Sequence, residues 1–265
     1  MDFHPGVTSV GLVVPAFRPD PETLAAYVEE LDEELDARIR IEVDDPDPAV
    51  EEALQDVPAE VNAVDTRGGK GAAITRGFEA LVDGVEVLGF ADADGSTPAP
   101  SVGDVLAPVE SGDADLAVGS RRHPDSDIRS HQTITRRRMG DAFARVAGRL
   151  LDVELYDYQC GAKALSSDTW RAVRPHIYES GFAWDIELVA MTAALGRSVR
   201  EVPVTWVDKP DSTVSPLPTA LELGRALLRS RHRAKRLAGS RLHSALADPD
   251  GTALVDRTGY DPADD

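Results

Sequence analysis

The feature that most constrains this chain is an alternation in its first 120 residues, where short β-branched and apolar runs are separated by stretches of helical spacing. Val7 to Pro15 reads VTSVGLVVP and predicts a strand. Asp20 then stands as a cap, with Pro21 at the first helical position. Leu24, Tyr27, Val28, Leu31 and Leu35 follow at helical spacing. Further strands are expected at 38–43, 60–64, 85–91 and 116–119, and helices at 49–55, 72–82 and 100–110. This alternation predicts an α/β chain, a Rossmann-like, mostly parallel central sheet covered by helices on both faces. Sites in such sheets lie beyond the carboxyl ends of the strands. Pro15, Asp44, Asp65 and Asp92 all fall at such ends.

The second half is less regular. HPDSDIRSHQTITRRR reads as a polar loop, and Met139, Ala142, Phe143, Val146 and Leu150 then mark an amphipathic helix. A strand is expected at 161–165, helices at 167–173 and 186–195, and one strand over 199–207. The reading is one domain, residues 1–216, followed by a basic amphipathic segment at 217–246. The acidic tail, 247–265, is expected to be disordered.

Charge narrows the function classes. The net charge is -19, and lysine occurs only at 70, 163, 209 and 235. An acid-rich, lysine-poor surface suits high salt, where screening makes self-repulsion tolerable, and it argues against a nucleic-acid partner. The single cysteine, Cys160, excludes an internal disulfide and a multi-cysteine zinc site. No run is apolar enough to span a membrane, and the N-terminus carries acid where an export signal carries base, so none is expected. Residues 217–246 nonetheless hold seven basic residues and one acid, and Leu221, Leu223, Leu227 and Leu228 lie among them. That pattern predicts a helix docked in a membrane interface, or one packed on the core.

Four motifs point to chemistry. FADADG places Asp92 and Asp94 one residue apart after a buried strand. Two close carboxylates either share a hard divalent cation, Mg2+ or Mn2+, or form a solvated turn around Gly95. RGGKG, at 67–71, opens a helix and offers backbone N–H groups to an anion, with Lys70 as its cation. Six arginines, at 121, 122, 129, 136, 137 and 138, form a set suited to phosphate oxygens. WDIE puts Asp185 and Glu187 at the start of an apolar helix, where acids serve the helix dipole or catalysis.

These elements, in this order, resemble glycosyltransferase family 2, of the GT-A fold class. The resemblance runs through VVPAFRP, VDD (43–45), RGGKGAAITRGF, ADADG and GSRR, over roughly residues 8–230. DYQCGAK (157–163), GFAWDIEL and VTWVDKPDST are similar to elements of dolichyl-phosphate glucosyltransferases and mannose synthases. The acid-rich composition adds a salt-adapted, haloarchaeal-type source. The resemblance implies an inverting hexosyltransferase that uses a nucleotide sugar, with UDP-glucose first and GDP-mannose second. The acceptor it implies is a polyprenyl or dolichyl phosphate, at the cytoplasmic face of the membrane. It also implies that Pro15, Ala16, Phe17 and Asp44 line the nucleotide pocket, with Lys70 beside it. Asp92 and Asp94 would hold the metal, and Arg121 would approach the sugar diphosphate or the acceptor phosphate. Asp185 and Glu187 would orient sugar or acceptor, and Arg129 and Arg138 would belong to the acceptor region. The chain departs from the family pattern at Arg18, Pro19, Ser96 and Thr213, and VDDPDP lacks the usual Gly-Ser-Thr. Transfer to a non-lipid acceptor, and a non-catalytic nucleotide-sugar scaffold, are the alternatives. A nucleotidylyltransferase would need a glycine-rich loop where PAFRPDPE stands.

Overall fold

The computed structural model describes residues 9–129, 134–207, 216–246 and 251–257; of these, the side chains of 134–139 and 216–222 lie outside the description. The first half follows the expected alternation: β1 (Val10–Phe17), α1 (Pro21–Glu34), β2 (Ala37–Asp44), α2 (Pro48–Ala53), β3 (Glu60–Val64), α3 (Lys70–Leu81), β4 (Val87–Ala91), α4 (Ala99–Glu110) and β5 (Leu116–Ser120). The second half adds β6 (Asp127–Arg129), α5 (Ile134–Leu151), β7 (Ala162–Ser166), α6 (Ser167–Val173), α7 (Trp184–Ala194), β8 (Val199–Pro203), β9 (Thr205–Val207), α8 (Pro216–Leu237), α9 (Arg241–Ala245) and α10 (Leu254–Arg257).

Helix α1 begins where its cap predicts. Asp20 accepts the backbone N–H of Thr23 at 2.9 Å, Pro21 follows, and Leu24, Tyr27, Val28 and Leu31 are buried. The seven-stranded sheet has the order β3-β2-β1-β4-β7-β5-β8. Alternate residues of β1 enter two cores, one on each face. Val13 packs with Phe78, Phe90, Trp170 and Trp184, while Leu12, Val14 and Ala16 pack with the residues of α1 and α4. Edge-on ring contacts, 5.1 Å for Phe78–Trp170 and 5.7 Å for Phe90–Trp184, join α3 to α6 and β4 to α7.

One strand reverses direction. β7 runs antiparallel to both β4 and β5, whereas the other neighbours in the sheet are parallel. Its beginning therefore lies beside the end of β4, with Ala162 opposite Ala91. Residues just before β7 reach the same edge as residues just after β4.

Three expectations are corrected and one open alternative is decided. The segment 199–207 is two strands: β8 closes the main sheet, and β9 pairs with β6 in a separate ribbon. The polar stretch from 123 to 138 is not one loop, because it contains β6 and the first turn of α5. Within the tail expected to be disordered, residues 251–257 include α10, whose Leu254 is buried in the core. Helix α8 packs on α5 and α7. Leu227 is buried and Leu223 partly so, which leaves Leu228, 58% exposed, pointing outward. The apolar stripe of α8 thus covers the protein core, and Leu221 lies among the side chains outside the description.

Candidate active site

The carboxyl ends of β1, β2 and β4 and the start of β7 converge on one group of charges. Asp92, directly after β4, pairs through one oxygen with Lys70 Nζ at 2.8 Å. Lys70 also donates to Asp185 at 3.2 Å, and the other Asp185 oxygen accepts from Lys163 Nζ at 2.7 Å. Lys163 is fully buried and donates a further bond to the Cys160 carbonyl at 2.8 Å. Two ammonium and two carboxylate groups thus alternate in a chain from the site surface to the core. The Asp92 side chain is 40% exposed, and those of Asp185 and Lys163 are almost inaccessible.

The environment sets these charges. Burial lowers the pKa of Lys70, but Asp185 and Asp92 more than offset it and hold the group above the ordinary lysine value. Burial pushes the Asp185 carboxyl up, yet Lys163 and Lys70 bring it below its usual range. Asp92 goes the other way: burial raises it against the pull of Lys70, with Asp94 adding repulsion. Burial also lifts the Cys160 thiol to about 11, so it stays a neutral core residue.

Asp94 is exposed, and one of its oxygens accepts the Ser96 N–H at 2.8 Å in a turn that Gly95 closes at φ +64°. The turn geometry and the metal role are compatible, because the second oxygen has no bond to a described residue. Asp94 and Asp92, two residues apart, supply hard carboxylate donors; one Asp92 oxygen is paired with Lys70 and the other lies against Gly161. No group of three or more metal-ligating side chains occurs among the described residues. Two carboxylates fit a divalent ion that keeps waters and takes diphosphate oxygens. Gly161, before β7, lies so close that a Cβ there would sit 2.0 Å from an Asp92 oxygen.

Arg121 is brought to the same edge. Asp157 grips it with bonds of 2.6 and 3.0 Å, and its guanidinium faces the Trp206 ring at 5.8 Å. The ribbon carrying Trp206 is tied to the Asp94 turn, since Val207 donates to the Ser96 carbonyl at 2.9 Å. Arg129 lies opposite Val207 on that ribbon, exposed and paired with Asp127. The side chain of Arg138 lies outside the described residues. At the end of β1, Pro15 and Phe17 are half-buried and Ala16 is buried. Arg67 covers the Phe17 ring at 4.0 Å.

Two carboxylates are placed otherwise than expected. Asp44 is buried, and one of its oxygens accepts the N–H groups of Gly68 and Gly69 at 2.7 and 2.9 Å. The other accepts from Arg76 at 2.7 Å, so Asp44 anchors the glycine turn. Asp45 is the more exposed acid at that strand end. It pairs with Arg18, and both adopt positive φ, a strained backbone that clusters at sites. Glu187 is fully buried and turned away from the lysines, bonded to Tyr178, Glu179 and Arg233.

Asp157, Lys163, Arg67 and Trp206 join the site without an expected role. A signal was present for Lys163: in a chain with four lysines, two sit in this cluster.

Asp157 carries a pH prediction. Burial pushes its carboxyl up, but Arg121 and its hydrogen bonds bring it from the usual 3.8 to about 2. Its stabilising contribution is complete above the unfolded value and is lost as pH falls from about 4 through 2. The difference is worth about 2 kcal/mol. Urea unfolding of wild type against Asp157→Asn should show this acid-dependent loss only in the wild type.

No protein-family model matches the chain. It is 30% identical to glycosyltransferase AglD of Haloferax volcanii over 83% of its own length and 36% of the relative's. The undecaprenyl-phosphate mannosyltransferase of Micrococcus luteus is 33% identical over 59% of this chain and 64% of its own. The dolichyl-phosphate beta-glucosyltransferase of Dictyostelium discoideum is 28% identical, over 62% and 51%. The chain therefore spans between about a third and two thirds of these relatives' lengths. Among solved structures, glucosyl-3-phosphoglycerate synthase from Mycobacterium tuberculosis, in complex with Mn2+, UDP and phosphoglyceric acid, superposes with a TM-score of 0.62. The match covers 88% of this chain and 79% of that one, at 16% identity. The chain carries the GT-A fold and is a homologue of glycosyltransferases that include dolichyl- and undecaprenyl-phosphate enzymes.

Proposed function

We propose that this chain is a glycosyltransferase that moves a hexose from a nucleotide sugar to a polyprenyl phosphate, with UDP-glucose the first donor to test and GDP-mannose the second. The observation that carries the reading is the convergence of Asp92, Asp94, Lys70 and the Asp157-held Arg121 at one edge of a GT-A sheet. Acids and cations in that arrangement suit a substrate that is itself a diphosphate bridged by a divalent ion.

Asp94 and Asp92 would hold Mg2+ or Mn2+, which when bound supplies positive charge against the diphosphate. Lys70, paired with Asp92, and Arg121, paired with Asp157, add positive charge. Phe17 under Arg67 offers a flat wall for the base. An acceptor phosphate oxygen attacks the anomeric carbon as the bond to the nucleoside diphosphate breaks, which inverts the centre. That oxygen is already anionic, so no side chain need remove a proton, and Asp185 serves to hold Lys70. Arg121, Arg129 and Arg138 are assigned to the acceptor phosphate. The homologues' lipid acceptors support a peripheral site on the cytoplasmic membrane face. Among the described residues no helix is long and apolar enough to cross a membrane. Leu228 on α8, Leu242 on α9 and Leu246 directly after it are exposed, as are Arg225 and Arg241, an apolar and cationic set suited to anionic lipid. The overall acidity supports a high-salt cell interior.

The test incubates the protein, in salt and Mn2+, with separately labelled nucleotide sugars and polyprenyl phosphate in anionic vesicles, and scores label in the lipid phase. Label from one donor alone is expected, with the protein sedimenting with the vesicles. Label in a soluble phosphorylated acceptor and none in lipid would move the reading to a non-lipid acceptor. No transfer together with nucleotide binding would leave a scaffold.

A further inference from the structure

We infer that Glu187 and Arg233 are positioning residues for the donor site: they hold the segment 177–183 against the glycine turn and so fix where Lys70 stands. The donor-site role of that turn rests on the proposed function; the mechanical link does not.

The segment lies between the 3-10 turn 174–176 and α7 and has no regular structure of its own, so its contacts fix its shape. One oxygen of Glu187 accepts the backbone N–H groups of both Tyr178 and Glu179, each at 2.7 Å. The other accepts from Arg233 of α8 at 2.5 Å. The Arg233 guanidinium also faces the Tyr178 ring at 4.4 Å. One turn earlier on α8, Arg229 binds both oxygens of Glu179, at 2.9 and 3.1 Å. The tail closes the other side, where Leu254 N–H donates to the Ile177 carbonyl at 2.7 Å and Arg257 donates to the Tyr178 carbonyl. Burial favours the neutral form of Glu187, and the Arg233 charge opposes it, so loss of that charge loosens the whole knot.

The far end of the segment touches the site. The Ser180 carbonyl accepts the N–H of Ala72 in the first turn of α3, at 3.1 Å. Gly69, at φ +97°, passes so near that a Cβ would lie 2.6 Å from the same oxygen. Lys70 follows directly. On its other side the turn is pinned by Asp44 through Gly68 and Gly69. The turn is thus clamped between Asp44 and Ser180, and only the second jaw depends on α8 and α10. Helix α7 serves both ends, since Asp185 holds Lys70 and Glu187 holds the segment. The C-terminal helices beyond residue 216 are therefore part of the donor site's support, whatever else their outer face contacts.

The test uses the full chain with Arg233→Met, Arg233→Lys and Glu187→Gln. Hydrogen exchange is followed at 69–73 and 178–181, with β1 as an internal control. Exchange in both regions of Arg233→Met should rise about tenfold, within the range usual for coupled sites. β1 should be unchanged and Arg233→Lys should recover part of the protection. In turnover, the donor KM should rise about tenfold while kcat and the acceptor KM hold. Faster exchange at 178–181 with wild-type exchange at 69–73 would overturn the inference. If Arg233→Met does not fold, Arg229→Gln replaces it. Arg229 lies in an exposed pair, and a smaller change in the same two regions is expected, with no change at 69–73 overturning the inference equally. If the wild type binds no UDP with Mn2+, the donor-site reading fails, and the exchange result still decides the mechanical link.

Discussion

Asp94→Ala is expected to abolish sugar transfer, by about a thousandfold or more, while leaving the fold intact. The two halves of this expectation come from different observations. The carboxylate is exposed, and its only described hydrogen bond is to Ser96 N–H, so its removal should cost about 1 kcal/mol of stability or less. In the proposed reaction the same carboxylate is the outer half of the donor pair for the ion that meets the diphosphate. Loss of one group that stabilises developing charge in a closed site costs about two to three orders of magnitude, and loss of the ion removes more than one such contact. Turnover with the labelled donor and a thermal melt check both halves. Turnover above a tenth of wild type would exclude the metal role of Asp94. A collapsed melt would show that the turn matters to the fold far more than one hydrogen bond implies.

Asp185→Ala should do the reverse and strike the fold first. Asp185 is buried and is the shared partner of two ammonium groups, Lys70 and Lys163. Its loss leaves Lys163, wholly inaccessible, with the Cys160 carbonyl as its one described hydrogen-bond partner and the Phe90 ring at 5.6 Å, but no described carboxylate. Breaking a buried pair from one side costs about 3–5 kcal/mol, a large part of the roughly 5–15 kcal/mol that holds a typical domain. Lys163→Met should cost less, because Asp185 keeps Lys70. The double variant, Asp185→Ala with Lys163→Met, should be more stable than Asp185→Ala alone, since no uncompensated ammonium remains in the core. Urea unfolding of the three variants checks the order. If the double variant proves less stable than Asp185→Ala, the cluster is not held by charge pairing.

The residues show how far the sequence could be read. The first half was legible because each element carries its own local signal. β1 is apolar throughout, α1 has an acid cap and a first-position proline, and β4 is an apolar run followed directly by Asp92. The edge on which the site stands followed from the strand ends alone. Asp92, Asp94, Lys70 and Arg121 were read as its members; Lys70 pairs with Asp92, Asp94 stands in the turn two residues on, and Arg121 is held by Asp157 against Trp206. The second half resisted for definite reasons. AKALS pairs antiparallel, yet a five-residue apolar run looks the same in either direction, because strand direction is set by the connections around it. The run 199–207 reads as one strand, and only pairing divides it between two sheets. Asp44 and Glu187 sit in motifs where an acid is expected to meet substrate, and both are spent on backbone N–H groups.

Helix α8 marks the same boundary. A stripe of leucines among arginines is the pattern of a helix on a bilayer and equally of a helix on a protein core, since both surfaces are apolar. The sequence determined that the chain forms a covered, mostly parallel sheet, that acids and cations lie at strand ends, and that a basic amphipathic helix follows, because strand alternation, capping and helical spacing act over a few residues. Only the tertiary structure decided which charges pair. It turned β7 so that Gly161 comes beside Asp92 and Lys163 opposite Phe90, and it buried Lys163 against Asp185. It also drew Arg233 off the solvent face of α8 to hold the segment behind Lys70. Those are contacts between residues 22 to 115 positions apart, and nothing local in the chain distinguishes a partner from a bystander at that range.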